Sequence, residues 1–100
     1  MSRRLFSRTA RTELRDAVLW LHQRNPGAAV ELLDTAMEAA RLIADNPVIG
    51  RIEPELAPAR YRFWSIPAFR YLLVYETDPE FILRVVHTSR DLPAVLADLT

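Results

Sequence analysis

Three runs of strand-forming residues lie close together in the second half of the chain: Tyr61–Ile66, Arg70–Glu76 and Phe81–His87. Only Pro67-Ala68-Phe69 and Thr77-Asp78-Pro79-Glu80 join them. Parallel neighbours need a crossover of roughly a dozen residues or more, so connections this short predict an antiparallel meander. A three-stranded meander cannot leave both faces in water, and one face must pack on something else in the chain.

The segment before it supplies the partner. Ala10, Leu14, Ala17, Val18 and Leu21 recur at helical spacing, which predicts a helix over Ala10–Gln23 with Thr9 as its N-cap. Asn25-Pro26 ends that helix and opens a second, Pro26–Asp45, because asparagine caps and proline fits the first helical position. Ala29, Leu33, Ala36, Ala40 and Ile43 mark its apolar face, with Leu32 and Met37 beside it. The small residues let the two helices approach as an antiparallel hairpin. Arg3–Ser7 reads as a short first strand. Pro47–Ala59 reads as a connection tacked down by Ile49, Ile52 and Leu56. Asp91 is placed to cap a last helix over Leu92–Leu99, with Pro93 in its first turn. The expectation is one α+β domain over residues 1–100, in the order β-α-α-β-β-β. Its antiparallel sheet packs on a helical hairpin and is followed by a short C-terminal helix.

Composition bounds the function. Cysteine is absent and only His22 and His87 represent histidine, which excludes a disulfide scaffold and thiolate metal sites. No metal or cofactor is expected. The Met1–Arg15 end is too polar for a signal peptide, and no apolar run approaches the roughly 20 residues of a membrane span. A soluble cytoplasmic protein with no membrane partner is expected. All thirteen basic residues are arginine. Residues 1–15 carry a net +4, residues 16–59 a net −4, and residues 60–75 three arginines and no acid. This segregation predicts a basic sheet region set against an acidic helical region.

The stretch Ile82–Asp91 draws attention because an apolar strand hands over at once to His87, Thr88, Ser89, Arg90 and Asp91. Strict alternation puts Ile82, Arg84 and Val86 on one face, and Phe81, Leu83, Val85 and His87 on the other. In Tyr61–Ile66 it puts Arg62, Trp64 and Ile66 together. The sheet face turned away from the hairpin would then expose arginines among aliphatics. Each group also has an ordinary structural role. Arg62 and Arg84 could pair with Glu76 or Glu80 across strands. His87 could shape the turn, Asp91 could cap, and His22 reads as a surface or helix-end histidine.

The ordered set of patterns resembles the RelE/ParE toxin superfamily of type II toxin–antitoxin systems over nearly the whole chain. It comprises Ala10 and Leu14, Asn25-Pro26 with Ala28-Ala29, Asn46-Pro47 with Gly50, Tyr61-Arg62 through Ile66, Tyr71-Leu72-Leu73-Val74-Tyr75, and Ile82 through His87 with Arg90-Asp91-Leu92. The closing His87-x-x-Arg90-Asp91-Leu92 is more similar to the ParE branch. That branch implies a bacterial plasmid-stabilisation toxin that inhibits growth by poisoning DNA gyrase, has no chemistry of its own and is neutralised by a cognate, ParD-like antitoxin. The RelE branch implies instead a ribosome-dependent mRNA endonuclease. There His87 would act as general acid or base and Arg62, Arg84 and Arg90 would hold phosphate. RelE-like lysines and a tyrosine after Arg90 are absent, and zero net charge suits ribosomal RNA poorly. The expected binding surface is Arg62, Arg84, Arg90 and Asp91. An acidic antitoxin segment that folds on binding would suit the arginine-bearing sheet and the groove of the hairpin.

Overall fold

The computed structural model describes residues 5–77 and 80–99. The first helix, α1 (Arg8–His22), is followed by α2 (Pro26–Asp45) and the strands β1 (Tyr61–Ile66), β2 (Tyr71–Thr77) and β3 (Glu80–His87); a single turn of helix, α3 (Leu92–Val95), comes last. The sheet order is β1-β2-β3, antiparallel throughout.

α1 starts two residues earlier than its apolar stripe implies, because the cap is Ser7 and not Thr9. The Ser7 hydroxyl accepts the Ala10 N–H at 3.0 Å and donates to the Leu83 carbonyl at 2.9 Å. Ser7 N–H also donates to Ile82 O, and Ile82 N–H to Leu5 O. The expected first strand is therefore a single parallel bridge between Phe6 and Ile82, since the chain turns into helix at the next residue. Arg3 and Arg4 lie outside the described residues.

α2 has the expected bounds, with Asn25 accepting the Ala28 N–H at 3.1 Å. Its buried row is Ala29, Leu32, Ala36, Ala39, Ala40 and Ile43. Leu33, expected in the core, is 41% exposed. The helix is rolled so that its alanines meet the sheet and α1, which moves Leu33 to the rim and Leu32 inward.

Both faces of the sheet are covered. On one side Ile66, Leu73, Tyr75, Ile82 and Val85 pack with Leu14, Ala36, Ala40 and Ile43 of the hairpin. On the other, Tyr61, Phe63, Leu72, Val74 and Val86 pack with Ala57, Leu96 and Leu99. The expected open face of arginines and aliphatics is thus corrected: the 53–57 turn and the C-terminal tail cover it. The strict alternation expected in β3 is also corrected. Val74 pairs with Arg84 but Tyr75 pairs with Ile82, so Leu83 is an extra residue in a bulge. Past the bulge the faces exchange, and Ile82 and Val85 both point to the hairpin.

Arg70 adopts a left-handed conformation (φ 59°, ψ 40°) after the turn Pro67–Phe69, which is why β2 begins at Tyr71 instead of Arg70. The expected Thr77–Glu80 turn includes Asp78 and Pro79, which lie outside the described residues. The 47–59 connection is pinned from inside. The Tyr75 hydroxyl donates to the Pro47 carbonyl and accepts the Gly50 N–H at 2.9 Å. Arg51 exchanges two backbone hydrogen bonds with Phe63. Ile49 and Leu56 pack inward as expected, but Ile52 is 44% exposed. The final helix is shorter than Leu92–Leu99. Asp91 caps α3 by accepting from Ala94 N–H, then the chain tightens into a turn over Ala97–Leu99 that buries Leu96 and Leu99 together.

Candidate functional site

The predicted site residues occupy three separate places. His87 closes β3 opposite Tyr71, whose ring it meets edge-on at 4.9 Å between centroids. The Ser89 N–H donates to His87 Nδ1 at 3.1 Å, and the Ser89 hydroxyl lies 2.7 Å from the same nitrogen. Nδ1 is thus turned toward Ser89 and accepts its backbone N–H. Arg90 and Asp91 follow on the same connection, both exposed; Arg90 N–H donates to the His87 carbonyl. This corner displays an imidazole, a guanidinium and a hydroxyl in one short turn.

Arg62 lies elsewhere. It pairs with Tyr75 in the sheet and donates to Gly50 O at 2.7 Å, helping to hold the 47–50 turn. Tyr75 and Tyr71 are four residues apart along β2, so Arg62 and His87 sit in rows separated by about 13 Å, and two strands apart. Arg84 is third. Its Nε and Nη2 grip Glu13 of α1 at 3.1 and 2.8 Å, and Nη1 reaches Val95 O at 2.9 Å and Asp98 at 3.0 Å. The side chain is only 13% exposed. Hydrogen bonding to Glu13 raises its pKa beyond the ordinary arginine range, against the desolvation that lowers it. Arg84 thus has Glu13 and Asp98 as its acidic partners, and it is Arg60 that lies 3.8 Å from Glu76; the side chain of Glu80 lies outside the described residues. His22 is the exposed last residue of α1, as expected. Among the described residues, no group of three histidines, cysteines or acids is placed to hold a metal ion. No described helix is long and apolar enough to cross a membrane.

A further feature is concave and apolar. Between α1 and α2, Phe6, Leu14, Val18, Leu19, Leu33 and Met37 line a groove of about 320 Å³, with Arg11 and Arg15 at its edge. A second hollow beside it is formed by Arg8, Arg11, Thr12 and Arg15. Arg8, Arg11 and Arg15 therefore lie on α1, while Glu31, Asp34 and Glu38 lie on α2, so the helical hairpin carries basic as well as acidic residues. The sequence signal for the groove was Leu19, which falls off the buried stripe and stays 55% exposed. The sequence signal for Glu13 is its place as the lone acid among five arginines in residues 1–15.

The site residues and the groove thus sit on an α+β fold in which a helical hairpin packs on an antiparallel sheet and a C-terminal tail is pinned to the sheet's other face. The family model described as the ParE toxin of type II toxin-antitoxin system, parDE, matches residues 5–92, and the chain belongs to that family. It is the toxin component of such a system, with a cognate antitoxin as partner. No curated protein sequence matches the chain.

Proposed function

We propose that this toxin acts in the bacterial cytoplasm by binding and inhibiting DNA gyrase, with no chemistry of its own. The observation that carries this reading is the dispersal of the groups a ribonuclease would need. General acid–base catalysis requires donors and acceptors within about 3 Å of the reacting atoms. Here Arg90 alone shares the turn of His87, whose hydrogen-bond partner is Ser89; Arg84 is engaged by Glu13 and Asp98, and Arg62 lies a sheet width away. Arg90, Asp91 and the tail that follows them form the surface offered to the target. The antitoxin, on this reading, lays an acidic amphipathic segment into the α1–α2 groove, where apolar walls and arginine edges complement both of its faces.

The test is expression of the chain without antitoxin. DNA breaks that depend on gyrase are the expected outcome. Cleaved ribosome-bound mRNA, lost together with toxicity in His87→Gln, would replace this reading with the RelE-like one.

A further inference from the structure

We propose that Glu13, Arg84 and Asp98 form a clamp that positions the C-terminal tail, so that Arg84 acts through the tail and not by touching a target. The inference rests on the reading above, in which the tail belongs to the target-facing surface.

The bulge at Leu83 sets Arg84 at the edge of the sheet, between α1 and the tail. There its planar fork faces the Glu13 carboxylate with two donors, while the third nitrogen turns to the other side. Glu13 is itself fixed by the Val85 N–H, which donates to Oε1 at 2.8 Å. The third nitrogen, Nη1, is shared between the Val95 carbonyl, one of the last of α3, and the Asp98 carboxylate. One side chain therefore ties the first helix, the last strand and the final turn of the chain.

The tail needs such a tie. α3 has four residues, far too few to persist without tertiary support. Leu96 and Leu99, with Leu92 and Val95 beside them, set its depth on the sheet, and the bonds from Arg84 to Val95 and Asp98 add directional ties to that apolar contact. The geometry also explains why arginine serves here. A lysine ammonium is a single point charge and cannot hold Glu13 on one side and two tail oxygens on the other.

Amide hydrogen exchange on the full chain, with growth arrest on induced expression, tests this. Asp98→Ala removes the exposed end of the clamp and is compatible with folding. It should speed exchange at Leu96 and Leu99 about threefold. Arg84→Lys should speed it roughly tenfold. In both variants exchange at Leu73 and Tyr75 should stay at the parent rate, and growth arrest should weaken in the same order. Unchanged exchange at Leu96 and Leu99 in both variants would overturn the clamp, as would arrest lost in Arg84→Lys with the tail still protected, the signature of direct contact. Faster tail exchange with full growth arrest would leave the clamp standing and remove the tail from the target-facing surface.

Discussion

Tyr75 shows how much one residue holds. Its ring is fully buried and its hydroxyl links Pro47 to Gly50 from inside the loop, beside the bonds that Arg62 makes to the same turn. Tyr75→Phe should cost roughly 1–3 kcal/mol in chemical denaturation, because the Gly50 N–H and Pro47 carbonyl lose a buried partner. Burial also pushes the Tyr75 phenol above its ordinary value, against the Gly50 hydrogen bond and the Arg62 charge, and burial alone raises Tyr71. A raised pKa in the fold means that the neutral phenol is favoured there. The associated stability is complete below the ordinary tyrosine value of about 10 and is lost as pH climbs through the folded one. Denaturation midpoints should accordingly fall in strongly alkaline buffer, and less steeply in Tyr75→Phe. Gly50 is bound to the same feature. A Cβ there would come within 2.6 Å of the Tyr75 hydroxyl and 3.0 Å of the Phe63 carbonyl, so Gly50→Ala should destabilise by about 1–3 kcal/mol. His87→Gln, by contrast, should leave growth arrest nearly intact. A general acid–base residue would cost about 10²–10⁴-fold.

At the scale of elements, the hairpin serves two purposes with neighbouring residues. Leu14 is buried against the sheet and also forms the floor of the groove. Leu14→Ala should cost roughly 2–5 kcal/mol, read from a melting curve, because neither helix can close the gap without leaving the sheet. Leu33 sits on the groove wall and is half in water, so Leu33→Ala should barely move the melting curve while weakening capture of the antitoxin about tenfold or more in a binding titration. The arginine edge adds an ionic-strength dependence. Antitoxin association should slow as salt rises, and less so in Arg15→Ala. Element boundaries were legible where the signal was local. Asn25-Pro26 marked the start of α2, and the aromatic run Tyr61–Ile66 marked β1. Ser7, and not Thr9, is the cap because its position owes something to the Leu83 carbonyl, 76 residues away.

For the whole molecule, the decisive fact is that the sheet is covered twice. Phe63, Val74 and Val86 would face water if the tail left. Deleting residues 92–99 should therefore lower stability as well as abolish growth arrest, and Leu96→Ala alone should cost about 2–5 kcal/mol by denaturant titration. The sequence by itself determined the α+β class, the meander, the helical hairpin and the family, because caps, periodicity and short connections act over a few residues. Tertiary structure alone decided which face each β3 side chain takes, what covers the far side of the sheet, and that Leu33 lines a groove. It also decided that Arg84 spends its charge on Glu13, 71 residues earlier. A bulge shifts register against a partner strand, and an ion pair of that span exists only once the chain has closed. Neither leaves a periodic trace in the order of residues.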